Sequence, residues 1–407
     1  MTDYKKRDLS RVLQDALADM PVVVLTGMRQ VGKSTLLEKD PAFRGRRYIT
    51  LDDFAQLEAA KKNPENLLSG EVPLTIDEAQ RCPELMIAIK RKVDQKRIPG
   101  RYLLCGSANF ALLKGITETL AGRAVYLTLH PFSLREADGP VGSMPFLPKF
   151  FHSPYLPQDS VRPLMPVDIL WGGMPSVRLG HLRNPGIWFK GYEQTYMDRD
   201  LRQLAQVGDL LAFRNLLQFT ALRSGKILNI SGLGRDVKLN TPTTTRYLNL
   251  METAFLIHRV GPFLGNRASR LIKSPKLYMA DAGLACHLVG LEHLDVFKNE
   301  PLRGAMLETF VAQNLLSILE AHMPQAKIFF WNEQGRHEVD FVIESGRDVM
   351  AIEVKSASRW SQSDLLGLRA FLNHTPQCRT AILGYNGTHS VQLDKCLWAL
   401  PLRKLLS

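Results

Sequence analysis

Residues 21–34 read Pro21-Val-Val-Val-Leu-Thr26 and run directly into Gly27-Met-Arg-Gln-Val-Gly-Lys33-Ser34. The first six form a short, apolar, β-branched run, suited to a parallel strand buried on both faces. The next eight fit G-x-x-x-x-G-K-[ST], and the helix-forming Thr35-Leu-Leu-Glu-Lys39 follows. Strand, glycine loop and helix in this order are the context in which such a loop cradles phosphate. Gly27 and Gly32 let the backbone close around an anion without a Cβ in the way. The N–H groups of Met28, Arg29, Gln30 and Val31 and the helix start at Ser34 and Thr35 supply positive potential. Lys33 is expected on the β and γ phosphates of a nucleotide, and Ser34 on Mg²⁺ through its hydroxyl.

The segments on either side extend the same pattern. Arg47-Tyr-Ile-Thr-Leu51, Val72-Pro-Leu-Thr-Ile76 and Arg101-Tyr-Leu-Leu-Cys105 read as further strands, and 84–97 as a helix. Residues 1–139 are therefore expected to form a parallel α/β domain. Leu74-Thr-Ile-Asp77-Glu78 ends an apolar strand in two acids. Asp77 is expected to hold the Mg²⁺, directly or through water, and Glu78 to act as general base on the attacking water. The strand Leu103-Leu-Cys-Gly106-Ser107-Ala108-Asn109 would end beside the γ-phosphate, where Ser107 or Asn109 orients that water. Arg123 either reaches a γ-phosphate as an arginine finger or is a surface arginine at a helix end.

These signatures resemble AAA-type P-loop ATPases. The similar group is bacterial and archaeal and is defined by G-x-R-Q-V-G-K-[ST], by x-x-D-E-x-Q, and by a strand ending G-S-x-N ahead of L-A-G-R. They stand here as Gly27–Ser34, Ile76-Asp-Glu-Ala-Gln80, Gly106-Ser-Ala-Asn109 and Leu120-Ala-Gly-Arg123. The resemblance continues through Gly172-Gly-Met-Pro175, Thr195-Tyr-Met-Asp-Arg-Asp200 and Lys273-Ser-Pro-Lys276, so it covers nearly the whole chain. It implies an ATPase that uses ATP and Mg²⁺ and carries an added C-terminal region.

The whole composition sets bounds on the partners. The 407 residues hold 52 Lys+Arg against 40 Asp+Glu, a net charge of +12, with 45% hydrophobic residues. That length allows about two to four domains. The balance excludes a disordered or collagenous chain and favours polyanionic partners. The five cysteines, at 82, 105, 286, 378 and 396, form no C-x-x-C pair. A zinc ribbon or disulfide framework is not expected. Charge at the N-terminus, with no apolar run of signal-peptide or membrane-span length, points to a cytoplasmic protein with no membrane partner.

Residues 140–166 contain seven prolines and read as a connector, or as an ordered loop packed on a neighbour. Residues 167–300 look mainly helical. Helices are expected over 211–222, over Ser231–Val237, and from Thr241-Pro242, where Thr is a good N-cap and Pro fits the first turn. Ala254–Val260 and Lys276–Ala280 would flank a loop bearing Arg267, Arg270 and Lys273. Together they suggest a winged helix, with the third helix in a major groove and the hairpin on phosphate. Arg246 is the single basic residue of that third helix, which argues against much base readout.

Residues 301–407 return to a helix followed by strands. Leu307, Val311, Leu315 and Ile318 recur at helical spacing with Glu308 at the edge of that face. His337-Glu-Val-Asp340-Phe-Val-Ile343 and Val349-Met-Ala-Ile-Glu353-Val-Lys355 read as two strands. If Ile343 pairs with Met350, Asp340 lies opposite Glu353, and Glu353 and Lys355 share a face. Over roughly 301–385 this resembles the PD-(D/E)-x-K nuclease superfamily. In that reading Glu308, Asp340 and Glu353 hold Mg²⁺ or Mn²⁺, and Lys355 orients water or stabilises developing phosphate charge. An E-x-K pair on a surface strand, or a nuclease fold that binds without cutting, fits the same letters.

The expectation is thus an α/β P-loop ATPase domain (1–139), a Pro-rich connector (140–166), a winged-helix-like region (167–300) and a nuclease-like α/β domain (301–407). ATP hydrolysis would be coupled to nucleic-acid binding or cleavage by the C-terminal nuclease-like domain. In the alternative, the ATPase is a switch whose C-terminal part docks a protein. If Arg123 acts on a neighbouring copy, a dimer or ring follows.

Overall fold

The structure, a computed structural model, describes residues 4–106, 120–139, 141–180, 182–195, 209–333 and 335–407. The expected Asn109 and Ser107 lie outside the described residues. The chain divides into two compact units. Unit 1 is Met1–Pro131 with Thr253–Leu256; unit 2 is Phe132–Glu252 with Ile257–Ser407.

Unit 1 is built on β1 (Val22–Thr26), β2 (Arg47–Thr50), β3 (Leu74–Asp77), β4 (Tyr102–Cys105) and β5 (Ala124–Thr128). Among the described residues they form one sheet in the order β2-β3-β4-β1-β5, every pairing parallel. All residues of β1, β3 and β4 are buried, which explains their nearly unbroken apolar sequence. The helix Glu84–Gln95 packs Leu85, Ile89 and Val93 into the core with Val22, Val24, Ile76 and Leu104. Because the strands run the same way, their carboxyl ends share one edge, where ligands of open α/β sheets bind. The loop after β1 and the acids ending β3 therefore meet there, with β4 between them.

Arg123 lies elsewhere. Val22 pairs with Ala124, so Arg123 sits at the amino edge of the sheet, across from the loop edge. Its Nε donates to Asp94 Oδ1 at 2.5 Å and its Nη1 to Ala121 O at 2.9 Å. A role in the chain's own phosphate loop is excluded by that placement.

Unit 2 contains β6 (Lys226–Ile227), β7 (Ile257–Pro262), β8 (Lys276–Met279), β9 (Lys327–Glu333), β10 (His337–Ser345), β11 (Asp348–Lys355), β12 (Cys378–Tyr385), β13 (Val391–Asp394) and β14 (Leu397–Pro401). They form a mixed sheet in the order β13-β14-β12-β11-β10-β9-β7-β8-β6. The helices Leu210–Leu222, Ile230–Asp236 and Thr241–Thr253 precede β7. The helix Leu366–His374 inserts Leu368 and Phe371 among Val339, Val342, Ala351 and Leu383.

Two organisational expectations change. The segment 301–407 is not a compact unit apart from 167–300, because β7 pairs with β9 through Gly261–Phe329 and Pro262–Phe330 and carries one sheet across residue 300. Of the two readings of the Pro-rich stretch, an ordered segment packed on a neighbour describes Phe146–His152. This segment forms a helix that buries Phe146, Phe150 and Phe151. Phe150 packs edge-on against Trp398 at 5.3 Å, and Phe146 N donates to Ser407 O at 2.8 Å. Apolar residues four apart on one helical face account for this. The unit boundary falls between Pro131 and Phe132 rather than at 139–140.

Candidate functional site

The loop after β1 has the backbone its glycines permit. Gly27 and Gly32 adopt φ of +141° and +96°. A Cβ on Gly27 would lie 2.3 Å from Leu129 O, so the backbone just after β5 is too close for any other residue. Gly27→Ala is expected to push the loop off that backbone. ATP affinity should fall at least tenfold, read by equilibrium binding, with far-ultraviolet circular dichroism showing the fold retained.

Lys33 starts the helix Lys33–Lys39 and is buried. Its Nζ donates to Gly27 O at 3.0 Å and Met28 O at 2.9 Å, inside the loop. Burial pulls its ammonium below the usual lysine range, against the opposing charges of Glu78 and Asp77. An incoming phosphate would supply the anion this buried charge needs.

Asp77 is likewise arranged before any ligand. Tyr48 Oη donates to its Oδ2 at 2.7 Å and Glu78 N to its Oδ1 at 3.0 Å. Burial works against its charge, but hydrogen bonds from Cys105, Ser34, Tyr48 and the Glu78 backbone hold it below the usual carboxylate range. The hydroxyl of Ser34 beside an ionised Asp77 is a hard-oxygen pair of the kind Mg²⁺ takes, so these residues fit the ion.

Glu78 has φ +51°, a left-handed backbone uncommon for a residue with a side chain. Gln80 Nε2 donates to its Oε2. Burial pushes its carboxyl above the ordinary value, with the Asp77 charge adding to the shift. A base tuned upward toward neutrality is better matched to taking a proton from water.

Some supporting residues had no signal in the sequence. Arg7 is buried and donates to Val31 O at 3.1 Å and His130 O at 2.5 Å, bracing the loop. Tyr48 and Cys105 secure Asp77, and Gln80 secures Glu78. Gln80 lay inside x-x-D-E-x-Q, which marks its position but not its partner.

In unit 2 the expected β10–β11 register is found, with Ile343 opposite Met350 and Phe341 opposite Ile352. The next step along that ladder brings Asp340 to Glu353. Lys355 Nζ donates to Glu353 Oε1 at 2.8 Å, while Glu353 Oε2 is buried without a partner. Glu308, from the helix Arg303–His322, faces the same cluster. Lys276 of β8, which sequence reading placed in a hairpin and in the motif Lys273-Ser-Pro-Lys276 but not in this cluster, enters it too. Its Nζ lies 3.1 Å from Glu308 Oε1 and 3.4 Å from Asp340 Oδ1, and also pairs with Glu338. Burial opposes the Lys276 charge, but Glu308, Asp340 and Glu338 outweigh it and hold the ammonium charged. Tyr278 donates to Glu308, and Val354 N to Asp340 Oδ2 at 2.8 Å. Among the described residues no three His, Cys, Asp or Glu side chains are grouped to hold a metal ion.

The hairpin between β7 and β8 holds the helix Arg267–Ile272 instead of a loop, capped by Asn266 on Ala268 N. Arg270 is not free for phosphate. It donates to Glu344 at 2.8 Å and 3.4 Å and stacks over Phe263 and Phe329.

A family model described as an AAA domain matches residues 19–137. Models described as domains of unknown function match 167–295 (DUF8612) and 303–405 (DUF4143). The chain is 30% identical over 408 residues to an uncharacterized protein of Mycobacterium tuberculosis, covering 99% of this chain and 85% of that one. The chain belongs to the family of that mycobacterial protein.

A protein of Haemophilus influenzae, also uncharacterized, is 23% identical over 294 residues, covering 66% of this chain and 69% of its own length. The Walker-type ATPase of Pyrococcus abyssi is 18% identical, covers 71% of this chain and 96% of its own, and overlays with a TM-score of 0.41. The AAA domain thus accounts for unit 1: an α/β P-loop ATPase domain with its parallel sheet. No helix among the described residues is long and apolar enough to cross a membrane.

Proposed function

We propose that this AAA-domain protein hydrolyses ATP with Mg²⁺, and that its nucleotide state governs how unit 2 engages a nucleic acid. The carrying observation is that Lys33, Ser34, Asp77 and Glu78 meet at the carboxyl edge of one parallel sheet, each already held by the partners described above. Mg²⁺, held by Ser34 and Asp77, would offset phosphate charge. Lys33 binds and orients the β and γ phosphates. Glu78 accepts the proton of the attacking water, and its left-handed backbone with the Gln80 bond fixes where that proton goes. A cytoplasmic location, where ATP and Mg²⁺ are at hand, agrees with this reading.

The nucleic-acid part draws support from the order of elements. Three helices, then the β7–β8 hairpin with β6 beside it, follow the winged-helix sequence of parts. The net charge of +12 adds to it. With Arg270 occupied, phosphate contacts fall to the exposed Lys226, Lys238, Arg246 and Lys273. Coupling of this kind is reciprocal, so a ligand of unit 2 must alter ATP binding in unit 1.

The test is phosphate release from Mg-ATP with and without duplex DNA or RNA at two salt concentrations. Expected are stimulation by nucleic acid that weakens steeply with salt and dependence on Glu78. Glu78-dependent turnover indifferent to any nucleic acid favours instead a switch whose unit 2 docks a protein. The same assay addresses Arg123. If it serves a neighbouring copy, turnover per chain rises with protein concentration, and Arg123→Ala removes that rise while leaving ATP affinity unchanged.

A further inference from the structure

The acids read from the sequence as a nuclease centre are present, but what they surround is a side chain. Glu308 from the helix Arg303–His322 and Glu338 and Asp340 from β10 all converge on the ammonium of Lys276, whose side chain is 3% exposed. A divalent ion would need several anionic oxygens free at about 2.0–2.6 Å. Asp340, the residue on which a metal reading depends, already receives a positive charge, whereas the hydrogen bonds on Asp77 come from uncharged donors. Oδ1 receives Lys276 and Oδ2 receives the Val354 amide. Glu308 Oε1 receives both Lys276 and Tyr278. Glu353 Oε2 is buried without a partner, but Glu353 Oε1 already receives the ammonium of Lys355. An ammonium at hydrogen-bonding distance from the same carboxylates would also repel any metal placed among them. The donor set therefore does not fit Mg²⁺ or Mn²⁺.

We propose that Lys276 is a built-in cation standing where a nuclease of this arrangement holds its metal, so that unit 2 does not catalyse metal-dependent phosphodiester cleavage. The same contacts do structural work. Lys276 lies on β8 of the hairpin that would form a wing, and two of its partners, Glu338 and Asp340, lie on β10, beyond β7 and β9 in the sheet order. Arg270 on Glu344 makes a second ion pair from that hairpin to β10. Two charged side chains thus fasten the hairpin to the nuclease-like strands, which fits the continuity of the sheet across residue 300. The proposal is independent of whether unit 1 hydrolyses ATP.

The experiment uses the full chain without nucleotide. Mn²⁺ binding is followed by electron paramagnetic resonance for wild type and Asp340→Asn, and cleavage of plasmid DNA and single-stranded RNA is measured with Mn²⁺ for both. Expected are superimposable Mn²⁺ isotherms and no cleavage that depends on Asp340. A wild-type site that Asp340→Asn weakens tenfold or more, or cleavage lost in that variant, would overturn the proposal. Wild type also serves alone. A bound metal stabilises the fold by mass action, so a melting temperature the same in Mn²⁺ and in chelator is expected, and a Mn²⁺-dependent rise in the unit 2 transition counts against it.

Discussion

Glu78→Gln is expected to lower ATP turnover by about 100- to 10,000-fold while leaving ATP affinity within a few-fold of wild type. That range is what a positioned general base contributes. The substitution keeps the size of the side chain and removes its ability to take a proton. Lys33, Ser34 and Asp77, which bind rather than transfer protons, keep their partners. The comparison that separates the roles is Lys33→Ala. Here the ammonium that reaches Gly27 O and Met28 O is gone, and binding itself should be lost. Equilibrium binding of ATP and steady-state phosphate release on the two variants give the answer. Equal loss of affinity in both would remove Glu78 from the base role.

The pH profile adds an independent readout of the same residue. Burial and the Asp77 charge hold the Glu78 carboxyl above its ordinary value of 4.5. A base works only when deprotonated, so turnover should fall with decreasing pH at a pH higher than an ordinary glutamate would give. Gln80→Ala removes the hydrogen bond that favours the ionised form. It should move that acid limb to still higher pH without abolishing activity at alkaline pH.

What the sequence could reveal follows from how locally each feature is determined. The loop Gly27–Ser34 was legible because positive φ at Gly27 and Gly32 restricts those positions to glycine whatever packs around them. Asp77 and Glu78 were legible because an apolar strand that ends in two acids marks the carboxyl edge of a sheet. The β10–β11 register was legible because only Gly346 and Arg347 separate Ser345 from its partner Asp348, and so short a turn fixes which residues face each other. Contacts made over long separations left no such mark. Arg7 bonds Val31 across 24 residues and His130 across 123, and nothing near Arg7 distinguishes it from Lys5 or Lys6. Arg123 stood in a readable motif, but its place at the amino edge depended on the pairing of β5 with β1. The prolines of 140–166 announced broken helices. They did not announce that Phe150 would find Trp398 almost 250 residues later. Lys276 stood in the motif Lys273-Ser-Pro-Lys276, but 32 residues from Glu308 and 64 from Asp340, so the motif marked its position and not its partners.

Lys276→Ala is expected to destabilise unit 2 strongly. Removing one partner of a buried ion pair typically costs about 3–5 kcal/mol, because the remaining charges stay buried without compensation. Here the carboxylates of Glu308 and Asp340 lose their shared cation, while Glu338, 42% exposed, regains solvent more easily. The transition of unit 2 should drop by on the order of 10 °C in calorimetry. The size of the drop should depend on pH. Burial and the Asp340 charge push the carboxyls of Glu308 up to about 7 and Glu353 up to about 8 in the folded chain, above the 4.5 of an unfolded glutamate. A group raised in this way contributes stability that is full below about 4.5 and is lost as pH rises through its folded value. Wild type should therefore lose some stability between pH 5 and pH 8.5. Lys276 is a principal force holding the Glu308 value down. Without it the loss over that interval grows, and the gap between variant and wild type should widen toward alkaline pH. Lys276→Met with Glu308→Gln removes charge of both signs and keeps the volume filled, so it should recover part of the loss. A gap that stays constant with pH, or a double variant no better than Lys276→Ala, would mean that Lys276 contributes packing rather than charge.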